Sequence, residues 1–431
     1  MSSLNKIEMS PLATISVEVV DVRGSVDEQE GTTSATGVGE SEDGRHDVEG
    51  SCLYHGCELS AGETIRKRYE QYGSEGLIHR GRGRESNRKA DPATKEAILK
   101  RYEERYKGFG PTFAMEKLRE ENYAIHAETL RIWLMEAGLW QRHRKRDPYR
   151  QRREPKKRFG EMVQLDGSHH RWFEERVDEY SCLMSMVDDA TRTTHALLAK
   201  RETTESAMRL LWGWIERYGI PMSLYCDRKN AYVVDREATV EEQLQGIEPM
   251  TAFGKACDKL GIEIITAYSP QAKGRVERRH GVFQDRFVKE LRLQGISSID
   301  LANDVLEGGF LEDLNRRFTV LPMDPQDAHV KIHKRVDLRT IFCFEEDRTV
   351  SNDWVVQYDN RYFQLLEDKK LDIRPKAKVT VAEWLDGSIH ILHEHPKTRR
   401  KQEVSYEEIN PQILQKARMG RRLAEYISMN T

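Results

Sequence analysis

Three acids spaced along the chain, Asp166, Asp227 and Glu277, have the type and setting to do chemistry. Asp166 closes the strand-like alternation EMVQLDG, and Asp227 closes the short apolar run SLYCD. Glu277 stands in AYSPQAKGRVERRHG, residues 267–281, among Lys273, Arg275, Arg278, Arg279 and His280. A solvated helix face interleaves its charges more evenly. One acid inside such a cluster fits a place that holds an anion and acts on it. Each acid also has a plainer role open to it. Asp166 before Gly167 can make a turn, Asp227 can cap one, and Glu277 can neutralise its neighbours.

Carboxylates that converge repel one another unless a divalent cation joins them. Hard oxygen donors with open positions suit Mg²⁺ or Mn²⁺. Two such ions about 3.5–4 Å apart can activate an attacking oxygen and stabilise the leaving oxygen of a phosphodiester.

The elements that must bring the acids together lie in residues 159–295, which read as α/β. The order is strand, strand, strand, helix, strand, helix, strand, helix, carried by EMVQLDG, YSCLMSMVDD, TTHALLAK, ESAMRLLWGWIERYGIP, SLYCD, TAFGKACDKLG, IEIIT and the stretch after Pro270. The last helix has an apolar stripe of Val276, Phe283, Phe287 and Leu291, with Glu277 one position off it. In such sheets ligands bind in the crevice beyond the carboxyl ends of the strands. Asp188 and Asp189 in VDDATR compete for a ligand role and read as turn formers. A charged segment, 228–250, interrupts the pattern.

Residues 92–140 read as three short helices, which fits a helix-turn-helix or a plain three-helix bundle. Arg131 on the last of them is a candidate DNA contact. The run QRHRKRDPYRQRREPKKR that follows holds ten Lys/Arg against two acids. Beside a helix-turn-helix it reads as a phosphate-contacting linker, with Arg142, Arg144, Lys145 and Arg146 as candidates. Residues 300–345 are mainly helical, and 350–393 return to short strands that suggest a small barrel, with Asp386-Gly387 as a hairpin signal.

The net charge of −3 over 431 residues hides an asymmetry. Residues 1–50 hold eleven Asp/Glu against three Lys/Arg, so that segment carries −8 and the rest +5. The segment is rich in Gly, Ser and Thr, and disorder is expected there. The six cysteines are scattered without CxxC pairs and read as reduced intracellular thiols. No long apolar run and no signal peptide is present, so a soluble cytoplasmic protein away from membranes is expected.

LDGS, VDDATR, YCDRKNAY and YSPQAKGRVERRHG, in that order, resemble the integrase catalytic core of DDE transposases from bacterial insertion sequences, the ISNCY-type group most of all. The likeness runs from about residue 60 to 400. It implies a multidomain α+β protein with an N-terminal helix-turn-helix region, a central RNase H-like α/β catalytic core and a C-terminal small β-barrel. The expected divisions are an acidic segment 1–55, a remnant of a first helix-turn-helix with linker 56–90, a helix-turn-helix 91–140, a basic linker 141–158, the core 159–295, a helical connector 296–345, the barrel 346–400 and a tail 401–431. In that family Asp166, Asp227 and Glu277 match the catalytic metal ligands, holding Mg²⁺ or Mn²⁺ as two ions. Lys273, Arg275 and Arg278 would hold DNA phosphates. The implied activity is cleavage at the 3′ ends of the element and strand transfer into target DNA. The implied partners are double-stranded inverted-repeat ends, target DNA and further copies of the chain, since two ends must be joined together.

The chain departs from the pattern in two places. Only TIRKRYEQY and GSEGL remain of a first helix-turn-helix, and the acidic segment before them is expected to be a mis-started or frame-shifted reading. RKNAY after the second acid also differs from the usual stretch. Two other functions stay open: a non-catalytic DNA-binding protein derived from a decayed or repurposed transposase, and a nuclease of the same fold.

Overall fold

The computed structural model describes residues 59–78, 82–83, 90–142, 153–228, 231–234, 236–245, 248–267, 274–367, 371, 373–395 and 401–410. The acidic segment, most of the basic linker, Arg144, Lys145, Arg146 and Lys273, and the tail after 410 lie outside the described residues. The chain divides into two compact units, 1–95 and 96–431. In the first, helix α1 (Leu59–Tyr72) runs into a 3₁₀ turn, Gly73–Leu77. A Cβ on Gly76 would sit 2.1 Å from the Arg68 carbonyl oxygen, so only glycine lets the turn fold back on the helix.

The second unit starts within helix α2 (Pro92–Arg105), followed by α3 (Pro111–Glu120) and α4 (Ala127–Glu136). Ile98, Tyr102, Phe109, Leu118, Leu130 and Leu134 form their shared core. The Tyr102 hydroxyl donates to the Phe109 carbonyl at 2.8 Å, which meets its hydrogen-bonding need inside the core. Arg101 forks onto both Glu121 carboxylate oxygens at 2.7 Å each. Asn122, in the left-handed region at φ 68°, turns the chain between α3 and α4. The three expected helices are present, but their connection, residues 121–126, is longer than the roughly 3–4-residue turn of a tight helix-turn-helix.

Next come β1 (Val163–His170), β2 (Ser181–Asp188), β3 (Thr194–Ala199), α5 (Thr204–Tyr218), β4 (Ser223–Asp227), α6 (Val240–Gln245), α7 (Ala252–Leu260), β5 (Glu263–Ala267) and α8 (Gly274–Leu293). The strands form one sheet in the order β3-β2-β1-β4-β5. β2 runs antiparallel to β1 and β3, while β4 runs parallel to β1 and β5 parallel to β4. This is the central mixed sheet expected of an RNase H-like core. One face packs Val163, Leu165, Met184, Leu224 and Cys226 against α5 and α7. The other packs Leu183 and Leu198 against Phe283, Phe287 and Leu291 of α8, with helices α9 (Ile299–Val305) and α10 (Leu311–Phe318) beyond. Strand alternation thus divides each strand's side chains between two helical layers.

Seven short strands follow: β6 (Cys343–Thr349), β7 (Val355–Tyr358), β8 (Arg361–Leu365), β9 (Lys378–Trp384), β10 (Ile389–Glu394), β11 (Lys401–Val404) and β12 (Tyr406–Ile409). Among the described residues they pair as two open sheets, β11-β10-β9-β6 and β12-β8-β7, rather than as the closed barrel expected. Val350, Val356, Phe363, Val381 and Ile391 fill the space shared by the two sheets. The core, rather than a continuous hydrogen-bonded ring, ties them together.

Candidate active site

Strand register decides where two of the three acids stand. β1 and β4 pair in parallel with Val163 opposite Leu224 and Gln164 opposite Tyr225. The paired ladder ends there, and Asp166 and Asp227 each lie two residues further along their strands. Gln164, Asp166 and Ser168 share the α8 face of β1, and Tyr225 and Asp227 share the same face of β4, because Leu165, Leu224 and Cys226 are spent on the opposite core. Asp227 is the last residue of its strand and is half-buried.

The third acid is set by α8, which climbs beside β1 in step. The Val276 amide donates to Gln164 Oε1 at 3.3 Å, His280 Nδ1 lies 3.9 Å from Asp166 Oδ2, and Gln284 Nε2 donates to Ser168 Oγ at 3.1 Å. Each rung advances four residues on the helix, about 6.0 Å, and two on the strand, about 6.6 Å. Glu277 falls between the first two rungs. It lies two helical turns before Gln284, and so on the same β1-facing flank of the helix. Glu277 is exposed there, whereas Val276, Arg279 and His280 beside it are buried.

His280, read from sequence only as one of the cations, is a buried link. Its Nε2 lies 2.8 Å from the Ser185 hydroxyl, and Ser185 is the β2 residue directly opposite Asp166. The imidazole is thereby held between β2 and the Asp166 carboxylate.

Asp188 and Asp189 are both fully buried, with different roles. Asp188 accepts from the Thr191 amide and hydroxyl at 2.7 and 2.8 Å and from the Gly160 amide at 2.9 Å, which makes it the turn former expected. Asp189 does more than shape a turn. It accepts from Arg275 at 2.8 Å, Gln164 at 2.8 Å, Arg153 at 2.5 Å and the Lys156 amide at 2.7 Å. It therefore anchors the end of the basic linker and the start of α8 to the sheet. Sequence inspection could not separate the two neighbours, since the partners of Asp189 lie 25 to 86 positions away.

The basic residues divide in the same way. Arg275 is largely buried, and one guanidinium nitrogen is committed to Asp189. Burial lowers its pKa, with Arg153, Arg192 and Arg278 adding like-charge repulsion that the Asp189 carboxylate opposes. Arg278 is exposed and donates to the Gly274 carbonyl at 2.9 Å. Arg279 is buried over the Phe318 ring, and burial together with Arg192 pushes its pKa down to about 10. Arg192, Arg275, Arg278 and Arg279 line one pocket of about 130 Å³. Crowded, partly desolvated guanidinium groups favour an anion between them. Of the other sequence candidates, Arg131 is paired with Glu128, its Nε donating at 2.8 Å, and Arg142 is exposed, six residues after the last helix of the unit.

No helix among the described residues is long and apolar enough to cross a membrane. No family model matches the chain. Solved structures that it resembles include one described as the HTLV-2 integrase catalytic core domain in complex with magnesium, at 19% identity and TM-score 0.27, covering 35% of this chain and 86% of that one. Another is a simian T-cell lymphotropic virus intasome in complex with PP2A regulatory subunit B56 gamma, at 17% identity and TM-score 0.30, covering 73% and 99%. Among curated proteins, the transposase for insertion sequence IS1202 of Streptococcus pneumoniae is 26% identical over 366 residues, 75% of this chain and 76% of that protein. "Putative transposase y4bF" of Sinorhizobium fredii (strain NBRC 101917 / NGR234) is 36% identical over 300 residues, which is 69% of this chain and 64% of that relative's length. The chain is thus similar in sequence to these bacterial transposases, spanning 64% and 76% of the length of the two relatives, and its motifs fall on a mixed five-stranded sheet.

Proposed function

We propose that this chain is a transposase that binds the ends of an insertion sequence, cuts the DNA at the 3′ ends and transfers the freed strands into target DNA. One observation carries the reading. Asp166 and Asp227 each follow the β1–β4 ladder by two residues, and α8, which carries Glu277, is bonded alongside β1 through Val276 and Gln284, which supports a meeting of the three acids. Asp166, Asp227 and Glu277 would hold the divalent ions, Mg²⁺ or Mn²⁺, two in number. Carboxylates supply the hard oxygen donors such ions take, here Asp166 midway along β1, Asp227 at the end of β4 and Glu277 in the first turn of α8. When bound, the ions would neutralise the charge gathered at a phosphodiester and lower the pKa of water.

The remaining work falls to the chain's own groups. His280, braced by Ser185, fixes the orientation of the Asp166 carboxylate. Asp189 holds Arg275 at the rim, and Arg275, Arg278 and Lys273 bind backbone phosphates. Arg142, Arg144, Lys145 and Arg146 extend that phosphate track along the linker, and Arg131 adds a contact from the helical unit. In the transfer step the 3′ oxygen of the element forms a bond to a target phosphorus, and the target's own 3′ oxygen leaves as a hydroxyl.

The test is strand transfer on a duplex bearing the element's end, with Mg²⁺, comparing the native chain with Asp227→Asn. Joined products are expected from the native chain. Their loss in the variant should exceed the roughly 10–100-fold effect of removing an outer partner of a metal site. DNA binding without products from either protein would support a non-catalytic binding protein instead. Cleaved but never joined ends would support a nuclease.

A further inference from the structure

On the opposite face of β1 from Asp166, three side chains of different chemistry meet. His169 is directly across from Cys182 in the β1–β2 ladder, so their side chains rise side by side from the same face. Glu202 approaches from the loop that enters α5, one residue before the helix cap. There Thr203 and Ser206 exchange side-chain and backbone hydrogen bonds, which fixes the loop. One ligand atom from each of His169, Cys182 and Glu202 lies within 4.8 Å of the other two, and His169 Nε2 is 3.7 Å from Glu202 Oε2. In a tetrahedral site with bonds of about 2.0–2.3 Å, neighbouring ligand atoms stand roughly 3.3–3.8 Å apart. The trio is therefore close to that spacing before any ion is bound, and the exposed His169 ring is the member able to move.

Two surrounding features favour a ligand set over chance packing. The buried Tyr232 hydroxyl donates to Glu202 Oε1 at 2.6 Å, which orients the carboxylate so that Oε2 faces the histidine. Such an outer donor commonly holds a metal-binding carboxylate in place. Gly167 keeps the space between the ligands clear. A Cβ there would lie 2.7 Å from Glu202 Oε2 and 2.9 Å from Cys182 Sγ.

We propose that His169, Cys182 and Glu202 bind one Zn²⁺-class ion, with water in a fourth position. Thiolate, imidazole and carboxylate together suit zinc and cobalt(II) and poorly suit magnesium. Binding moves the Cys182 thiol proton to the solvent, while His169 coordinates as neutral imidazole through Nε2. The ion ties β1, β2 and the entry to α5 together around Gly167, the residue after Asp166. It is chemically distinct from the ions assigned to Asp166, Asp227 and Glu277.

The experiment is titration of the metal-stripped full-length chain with Co²⁺, read by absorption. One equivalent is expected to give a thiolate-to-cobalt charge-transfer band with d–d bands of tetrahedral intensity. Zn²⁺ should abolish these bands, and a large excess of Mg²⁺ should leave them. Cys182→Ser should lose the charge-transfer band. His169→Ala, at an exposed position that leaves the fold intact, and Tyr232→Phe should each weaken binding by about tenfold or more. Asp166→Asn/Asp227→Asn should keep the bands, whether or not the strand-transfer reading holds. The proposal is overturned if the native chain shows no charge-transfer band, if the band survives in Cys182→Ser, or if His169→Ala binds Co²⁺ as tightly as the native chain.

Discussion

At the scale of single residues, two of the acids stand out in the sequence because each interrupts a local pattern, whereas Asp166, expected to close its strand, lies midway along β1, which runs on through Gly167 to His170. Asp227 stops an apolar strand, and Glu277 is the lone negative charge in a basic helix start. Residues whose role comes from distant partners were not readable. Asp189 differs from Asp188 only through Arg153, Gln164 and Arg275, and His280 through Ser185 and Asp166. The cost of losing Asp189 follows from its burial. Asp189→Ala would leave the guanidinium groups of Arg153 and Arg275 facing a dry, neutral site, and breaking a buried pair on one side costs about 3–5 kcal/mol. Urea denaturation should show that loss, and a change under about 1 kcal/mol would mean that water replaces the carboxylate. His195 gives a second test. Burial, then the charge of Arg217, lowers its pKa to about 3 from 6.5. Below pH 6.5 the unfolded chain takes up a proton that the folded chain refuses, so stability falls as pH drops towards 3. The slope from this group alone approaches about 1.4 kcal/mol per pH unit. His195→Gln should therefore have an acid limb shallower by about one proton than the native chain, measured by denaturation between pH 4 and 7. Identical slopes would show that the imidazole is protonated in the folded state.

At the scale of elements, period and punctuation revealed the strands and helices of the core, and α8 was visible from its apolar stripe. What the stripe could not reveal is the second use of α8 as a dock for the helical unit. Arg286 forks onto both oxygens of Glu116 of α3 at 2.6 and 2.9 Å, and Arg317 of α10 reaches the same carboxylate at 3.1 Å. Arg286 also stacks over Phe113, and Lys117 pairs with Glu290 at 2.9 Å. Sequence shows these as ordinary surface charges, since their pairing spans 170 positions. The two open sheets near the C-terminus were unreadable for a related reason. Their strands are four to seven residues long, and alternation marks a buried face without naming the neighbouring strand. Glu116→Ala removes the shared acceptor from two arginines at once. A loss of about 3–5 kcal/mol of docking energy is expected at this largely buried site. Hydrogen exchange should then speed up at the α3–α8 contact while the amides of β1 and β2 keep their protection. Unchanged exchange along α3 would show that the apolar contacts alone hold the unit in place.

At the scale of the whole molecule, charge is the property that sequence states most directly and a fold description states least. The near-neutral total of −3 joins a −8 stretch in residues 1–50 to a +5 remainder, and the positive groups of that remainder gather at the start of α8 and in the linker before β1. A polyanion tethered to a basic surface competes with any other polyanion for it, whatever its conformation. The competition is electrostatic, so salt screens it over a Debye length of about 8–10 Å near physiological ionic strength. Each phosphate neutralised by the protein contributes about −0.9 to the slope of log affinity against log salt. Removing residues 1–50 should therefore tighten binding to a DNA duplex at low salt and steepen that slope. The two proteins should converge as salt rises towards 0.5 M. Arg278→Gln in either background should flatten the slope by about 0.9, as expected for one lost phosphate contact. Fluorescence anisotropy on one labelled duplex across a salt series reads all of these. Equal slopes for the full and shortened chains would show that the acidic stretch never meets the surface proposed to bind DNA.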